Sequence, residues 1–169
     1  MALTIIRPPL VYAGHAPGNF QRLIKLIDTG LPLPFGLINN SRSMIALENL
    51  VDFIALCVEH PAAANETFLI SDGINFSTPQ IIQHISKGLN RNTMLLPVPP
   101  SLIYFGARLL GMQGVFQQLC ESLLIDSSKA QNLLEWKPPI SAAQAMIKTG
   151  QDYRKLHAKT NQEKNTLHK

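Results

Sequence analysis

Two side chains near the N-terminus have the chemistry and the position to bind an anion. Arg42 comes just before a short apolar segment, and a guanidinium binds phosphate-type oxygens through a planar, permanently charged fork. Asn19 opens a predicted helix, and the free amides of a helix N-terminus attract anions. Plainer roles fit the same residues, because Arg42 could be a solvated surface arginine and Asn19 an ordinary helix cap.

The chain contains no standard set of catalytic residues. A lysine four residues after a tyrosine would lower the pKa of the phenol, but the residues that follow Tyr12, Tyr104 and Tyr153 at that distance are Ala16, Arg108 and His157. The glycines form neither a dinucleotide-binding loop nor a phosphate-binding loop. Cys57 and His60 have a zinc-like spacing but lack a second pair, so we predict no metal site and two buried free thiols.

Length, composition and charge indicate one soluble domain. The chain has 169 residues, 46% of them hydrophobic, and a net charge of +4. Residues 154–169 hold five basic side chains and one acidic one, so the whole excess lies in a polar tail. We therefore predict a basic, disordered tail over 156–169 and no nucleic-acid partner. The absence of a long apolar run and of a signal sequence predicts no membrane association and a cytoplasmic location.

The periodicity of the apolar residues predicts alternating strands and helices, which is typical of the α/β class. Predicted strands cover Thr4–Val11, buried on both faces and ended by two prolines, together with Ser43–Leu47, Thr67–Ile70 and Leu123–Ile125. Leu31–Phe35 and Met94–Val98 are predicted to be extended. The first helix is predicted to run from an Asn19 cap to Gly30.

Five further helices are predicted from their caps and apolar spacing. They cover residues 48–60, 77–89, 99–110, 126–134 and 141–155, with a shorter helical segment at 115–120. The helix over 48–60 is predicted to bury four side chains, namely Leu50, Val51, Ile54 and Val58. The later short elements are predicted to form a small lobe beside the sheet.

Three segments in order resemble a known family. Residues 7–12 resemble its Arg-Pro-x-x-Val-Tyr strand, and residues 42–52 its Arg-x-x-Val-x-Val-x-Asn-Leu-Val-Asp pattern. Residues 126–138 resemble its closing Asp-x-Ser-Lys and Leu-Gly-Trp-x-Pro signature. By these segments the chain resembles the C-terminal half of the NAD-dependent epimerase/dehydratase family, the extended short-chain dehydrogenases, and most of all the UDP-sugar 4-epimerases of surface-polysaccharide pathways.

The resemblance implies a fold and a set of ligands. Residues 1–155 would be the substrate-binding C-terminal part of an extended Rossmann-type fold, with a small mixed α/β lobe. The complete enzyme would oxidise the sugar of a nucleotide sugar at C4 by hydride transfer to NAD and then return the hydride. The family's cofactor loop and Tyr-x-x-x-Lys pair lie upstream of this segment, so the chain alone would be inactive. Its partner would be the missing N-terminal half or a second copy.

The resemblance also assigns roles to individual residues. Pro8 and Leu10 would line the NAD pocket, and Arg7 would face the sugar unless it merely pairs with a carboxylate at the end of the sheet. The substrate-binding residues that it implies for the diphosphate and the base are Asn19, Phe20, Leu33, Phe35, Arg42 and Gln118. Edge-strand packing would explain Leu33 and Phe35 nearly as well.

Two departures from the family pattern bear on binding. The family's Tyr-Gly-Pro-Gly turn is replaced by Tyr12-Ala13-Gly14-His15, and a second phosphate-binding arginine is replaced by Gln118. Loss of one charge-assisted contact costs about 1.5–3 kcal/mol. Either the substrate differs or the site has relaxed. The alternative hypothesis is therefore a stand-alone, non-catalytic interaction module or a degenerate gene product, acting through the apolar lobe at 94–120.

Overall fold

The computed structural model describes the backbone of residues 2–167 and the side chains of residues 2–158. Within that part of the chain there are four short strands: β1 (Ile5–Arg7), β2 (Leu10–Tyr12), β3 (Met44–Ala46) and β4 (Thr67–Leu69). They form two separate parallel pairs, β1 with β4 and β2 with β3. Parallel neighbours need crossover connections, and helices supply them here. The predicted α/β class is confirmed.

The predicted strand over Thr4–Val11 is wrong as a single element. Pro8 and Pro9 divide it into β1 and β2, and the two halves pair with different partners. A proline has no amide hydrogen to donate to a ladder, so two in succession interrupt the pairing. The predicted burial on both faces is also wrong, because Ile5 and Leu10 are each 40% exposed.

The described part of the chain also contains seven α-helices and one short 3₁₀ turn. The helices are α1 (Asn19–Asp28), α2 (Leu47–Glu59), α3 (Thr78–Leu89), α4 (Pro100–Leu109), α5 (Gln113–Cys120), α6 (Ser128–Leu134) and α7 (Ala142–Leu167), and the 3₁₀ turn is Pro61–Ala63. The predicted cap of α3 is confirmed, since Ser77 and Gln80 form a reciprocal capping box. Gly30 adopts the left-handed conformation expected just past the end of α1.

The buried apolar side chains form two clusters. The larger cluster lies between α1, α3 and α7, and it includes Ile24, Ile82 and Met146, all completely buried. The smaller cluster lies under α2 and β4, where the ring of Phe53 packs edge-on against Phe68 and Trp136. The four α3 residues that the spacing placed inside, Ile81, Ile82, Ile85 and Leu89, are buried as predicted.

Of the four α2 side chains predicted to be buried, only Leu50 packs against the smaller cluster, and it is partly buried. Val51, Ile54 and Val58 are exposed, Val58 by 82%, whereas Asn49 and Phe53 are completely buried. The periodicity correctly marks an apolar stripe, but it cannot show which element covers that stripe. Three apolar side chains of α2 therefore face away from both clusters.

The boundaries of the last elements also differ from the prediction. Leu123 forms only an isolated bridge to Arg42 rather than a strand over 123–125, and Ser127 rather than Asp126 stands at the cap position of α6. Helix α7 continues to Leu167, beyond the predicted end near Lys155, so its backbone includes most of the predicted disordered tail. Alanine, lysine, glutamine and glutamate are good helix formers, and this composition favours continuation. Over the described residues, no helix combines the length and apolarity needed to cross a bilayer.

Candidate functional site

The carboxyl end of α5 brings together three of the residues that the sequence predicted for substrate binding. Asn19 donates a hydrogen bond from its side-chain amide to the side-chain carbonyl of Gln118, and Arg22 donates one to Asn19 at 3.3 Å. The predicted role of Asn19 as the helix cap is wrong. Gly18 occupies the cap position with a positive φ of 86°, and Asn19 is the first helical residue, which frees its side chain to reach α5.

Arg42 lies against the same end of α5. Its guanidinium donates to the carbonyl oxygen of Glu121 at 2.7 Å, and its backbone forms bridges to Phe76 and Leu123. Partial burial lowers the pKa of Arg42, and the nearby Glu121 opposes that change. The contact uses one of the five N–H donors of the guanidinium, so the remaining donors stay available to an anion. Arg42 is therefore held in place rather than loosely solvated.

Two buried polar residues that sequence reasoning missed hold this corner together. The side-chain amide of Asn40 donates to the carbonyl oxygens of Leu119 at 3.0 Å and Glu121 at 3.2 Å, and its own oxygen accepts from the amide of Thr78 at 2.8 Å. The Thr78 hydroxyl also donates to the Leu119 carbonyl. These bonds satisfy carbonyls that a helix end leaves free. An asparagine pair in a loop gives no sequence signal of such a role.

Cys120 lies between these residues without being reactive. Burial raises the pKa of its thiol to about 11, and the positive charge of Arg42 only partly opposes this effect. The thiolate is the nucleophilic form of cysteine, so Cys120 stays protonated and inert near neutral pH. The predicted free thiols are confirmed for Cys57 and Cys120, although both are only partly buried.

The predicted base-binding residues are packed inside the protein. Leu33 and Phe35 are 2% and 7% exposed and belong to the larger cluster, as does Phe20, whose ring lies 5.8 Å from that of Tyr12. Leu33 also exchanges backbone hydrogen bonds with Met94 and Leu96, which confirms the two predicted extended segments. Any contact of Phe20 or Leu33 with a ligand would have to come from the backbone.

The three remaining predicted residues lie on the first two strands or between them. Arg7 ends β1 and is exposed, and the structure records no ion pair for it among the described side chains. Pro8 is exposed, and Leu10 pairs in register with Met44, two residues beyond Arg42. An exposed proline and leucine at the ends of two strands would suit the flat face of a nicotinamide ring.

An apolar groove adjoins the corner formed at α5. This α4–α5 groove has a volume of about 420 Å³, and every residue that lines it is apolar. Its lining includes Phe35, Ile103, Gly106, Val115 and Leu119. Leu119 therefore belongs both to the groove and to the hydrogen-bonded end of α5.

A second buried polar group contacts Tyr12 and Ala46, which belong to the larger cluster. Asp72 accepts hydrogen bonds from the Tyr12 hydroxyl at 2.6 Å, the Asn49 amide at 2.7 Å and the backbone amide of Ala46 at 3.0 Å. Burial raises the pKa of the Asp72 carboxyl, and these three hydrogen bonds oppose the change. Burial raises the pKa of Tyr12 far above its usual range, so the phenol remains a donor. This network positions β2, β3 and α2 relative to one another.

The fold is a mixed α/β arrangement that matches the C-terminal portion of the Rossmann-type epimerases of the short-chain dehydrogenase class. Bacillus cereus UDP-glucuronic acid 4-epimerase, solved with NAD, superposes with a TM-score of 0.62 at 20% identity, over 90% of this chain and 44% of that one. The chain is 38% identical over 154 residues to UDP-glucose 4-epimerase of Vibrio cholerae, covering 90% of this chain and 47% of the relative.

A second curated relative differs in its substrate. The chain is 30% identical over 104 residues to N-acetyl-α-D-glucosaminyl-diphospho-ditrans,octacis-undecaprenol 4-epimerase of Escherichia coli O157:H7, covering 60% of this chain and 31% of the relative. The chain thus spans half or less of the length of these two proteins. No protein-family model matches it. The homologues and structural neighbours include UDP-sugar 4-epimerases, and neighbours of this fold bind NAD.

Proposed function

We propose that this chain is the substrate-binding, C-terminal portion of an NAD-dependent sugar epimerase of the epimerase/dehydratase family. The observation that carries the proposal is the meeting of the α1 N-terminus, Arg42 and Gln118 at the carboxyl end of α5. The first amides of α1 lack a side-chain cap, and Arg42 has donors to spare. A diphosphate between them would receive both helix amides and a guanidinium.

The proposed contacts with the sugar and with NAD involve other residues near this corner and on the first two strands. Arg7 would contact the sugar, and Phe35 would contribute to the pocket beside the diphosphate. Pro8 and Leu10 fit one wall of an NAD pocket, and bound NAD would accept and return the hydride. The chain offers no tyrosine with a lysine four residues later, so the acid–base pair would come from residues outside it. Gln118, a neutral amide, would bind a phosphate oxygen more weakly than an arginine does.

The exposed apolar faces support the need for a partner. Val51, Ile54 and Val58 on α2, with Ile5 and Leu69 at the β1–β4 pair, leave apolar surface that this chain does not cover. We propose that the N-terminal half of the enzyme, or a second copy, covers this surface. A cytoplasmic location and a role in surface-polysaccharide synthesis are part of the same proposal.

The substrate would be a sugar joined to a diphosphate. The two curated relatives share that linkage and differ in the group on its far side, which is uridine in one and undecaprenol in the other. A UDP-sugar is the simpler assignment, since the UDP-glucose epimerase has the greater identity and coverage.

The exposed apolar residues of α4, among them Leu102, Phe105 and Leu109, favour the second candidate function, a non-catalytic interaction module.

Calorimetric titration of UDP into the 169-residue chain tests the proposal. The variant Arg42→Lys replaces the planar fork with a point charge, and we expect it to weaken UDP binding about tenfold or more. Arg154→Lys is the matched control, because Arg154 is exposed on α7. Arg22→Lys is a poor control, since Arg22 touches Asn19. Equal affinities for the Arg42 and Arg154 variants would overturn the role of Arg42, and absence of UDP binding would favour the interaction module.

A further inference from the structure

We propose that Arg22 is a second anion-binding residue at the carboxyl end of α5, contacting one phosphoryl group of a sugar diphosphate while Arg42 contacts the other. The inference rests on the proposed function, which places the diphosphate at this corner. The guanidinium of Arg22 donates to the side-chain oxygen of Asn19 at 3.3 Å, and the side-chain amide of Asn19 donates to Gln118. Arg22 is therefore bonded directly to a residue of the candidate site.

The position of Arg22 on α1 follows from helix geometry. Arg22 is three residues after Asn19, so the two side chains are neighbours on one face of the helix. The backbone amide of Arg22 donates to the carbonyl of Gly18 at 3.2 Å, which is the first hydrogen bond of the helix. The amides of residues 19–21 have no acceptor within the helix, and such amides attract anions. The contact with Asn19 holds the guanidinium at this same helix end.

The contacts of Arg22 and Arg42 end one helical turn apart on α5. The hydrogen bonds that start at Arg22 pass through Asn19 to Gln118. Arg42 donates to the carbonyl of Glu121 at 2.7 Å. Glu121 directly follows α5 and is three residues after Gln118, and three residues of an α-helix rise about 4.5 Å. A diphosphate consists of two anionic groups joined through a single oxygen, and such a ligand fits two guanidiniums that are held to points one turn apart.

The charge balance of the corner favours a second cation. Each phosphoryl group of a sugar diphosphate carries a negative charge near neutral pH. Arg42 supplies one positive charge, the nearby carboxylate of Glu121 offsets part of it, and Gln118 is neutral. Arg22 is exposed, forms no ion pair with any described side chain and uses one of its five N–H donors on Asn19. Its remaining donors can bind phosphate-type oxygens through the planar fork of the guanidinium.

The place of Arg22 along α1 is unfavourable for the helix itself. The N-terminus of a helix carries a partial positive charge, so a cation there is repelled and an acidic side chain is preferred. The first turn of α1 contains no acidic residue that could offset the charge of Arg22. An anion bound at this end would be attracted by the helix and by the guanidinium together. Departures from local rules of this kind are expected where a residue serves binding rather than folding.

Calorimetric titration of pyrophosphate and of UDP into the full chain tests the role of Arg22. We expect Arg22→Gln to weaken the binding of both ligands about tenfold or more, because a charge-assisted contact is lost. Lys25→Gln is the matched control, since it removes the same charge from the last turn of the same helix. The urea midpoint of ligand-free Arg22→Gln should be unchanged or higher, because the substitution removes a cation from a helix N-terminus.

A double variant separates binding from structure. Gln118→Arg in the Arg22→Gln background returns a guanidinium to the other end of the Asn19 contact, at an exposed position, and should recover most of the lost affinity. A loss without recovery, together with a lower urea midpoint, would assign Arg22 a structural role and overturn the inference. Equal affinities of Arg22→Gln and Lys25→Gln would also overturn it, and the proposed function would still stand if Arg42→Lys weakens binding. A wild-type chain that binds neither pyrophosphate nor UDP would overturn both.

Discussion

Asn49 and Asp52 show that single polar residues of the sequence motif at 42–52 have architectural roles. The Asn49 side chain donates to the carbonyl of Ile140 at 2.9 Å and accepts from its amide at 3.2 Å. Asp52 accepts from the indole nitrogen of Trp136 at 2.9 Å. These hydrogen bonds hold the segment that precedes α7 against α2. The motif therefore has an architectural role besides any role of Arg42 in binding. Buried polar groups need such partners, because an unsatisfied one costs about 1–3 kcal/mol.

Tyr12→Phe tests the network around Asp72. The change removes a hydrogen bond to a buried carboxylate, and we expect the free energy of unfolding at pH 7 to fall by about 1.5–3 kcal/mol in urea denaturation. Tyr104→Phe is the control, since Tyr104 is 41% exposed and keeps its ring contact with Phe116. Equal effects of the two changes would contradict the account.

The pH dependence of the Tyr12→Phe effect has a definite sign. Burial raises the pKa of Asp72 above its ordinary value of 3.8, so the folded protein holds that proton to higher pH than the unfolded chain does. This group therefore stabilises the fold most below pH 3.8 and loses that contribution as the pH rises through the raised value. Removing the Tyr12 donor raises the pKa further, so the stability difference from wild type should widen from pH 4 to pH 8. A difference in unfolding free energy that stays constant from pH 4 to pH 8 would contradict this prediction.

At the scale of elements, helices α3 and α7 pack closely against each other at two glycines. Gly88 of α3 faces the backbone of α7, where a Cβ would collide with the carbonyl oxygen of Ile147 and lie 2.9 Å from the Cα of Gly150. A Cβ on Gly150 would lie 2.5 Å from the carbonyl of Ile85. Two glycines thus let the helix backbones touch and close the larger cluster.

Gly88→Ala should destabilise the protein, although alanine favours a helix. The added methyl group meets backbone that cannot rotate away, and we expect a loss of about 1–3 kcal/mol in urea denaturation. Gly106→Ala, in the open middle of α4, should instead gain about 0.5–1 kcal/mol from helix propensity. If both substitutions stabilise the protein, the tight α3–α7 contact is wrong.

The sequence predicted the positions of helices and strands better than it predicted which of their side chains are buried. Local signals suffice for the capping box of α3 and the division into helices and strands, because caps and periodicity act within a few residues. They failed for α2, where Val51, Ile54 and Val58 are exposed, and for Asn19, where Gly18 takes the cap position. Both errors depend on contacts between distant segments, which a local pattern does not contain.

The candidate site shows the same division. Arg42 and Asn19 could be selected because a guanidinium and a helix N-terminus attract anions, whereas Gln118 was selected only through the family resemblance. Near the carboxyl end of α5, Asn19 binds Gln118 and Arg42 binds the carbonyl of Glu121. Asn40 and Thr78 could not be selected from the sequence, because their partners are backbone carbonyls 79 and 41 residues away along the chain. Phe20 and Leu33 were selected by resemblance alone, and their side chains lie in the core.

At the scale of the whole molecule, the described residues form two small sheets where a Rossmann-type domain has one continuous sheet. The β1–β4 pair exposes Ile5 and Leu69 by 40% and 42%, and α2 exposes Val58 by 82%. Short strands with open edges and apolar faces associate with any partner that completes them. We therefore expect the isolated chain to self-associate, with a molar mass in light scattering that rises with concentration. A compact monomer at all concentrations would contradict this expectation.

Amide chemical-shift mapping with UDP tests the central claim most directly, because it locates the ligand residue by residue. If the corner at α5 binds the diphosphate, UDP should shift the amides of Asn19 and Phe20, the side-chain amide of Gln118 and the guanidinium of Arg42. The amide of Thr67 in β4 should stay unchanged and serves as the internal control. Saturating shifts confined to the α5 corner are the predicted result. Shifts confined to the β1–β4 pair, or no shifts at millimolar UDP, would contradict the assignment of this chain as the substrate-binding portion of a sugar-diphosphate epimerase.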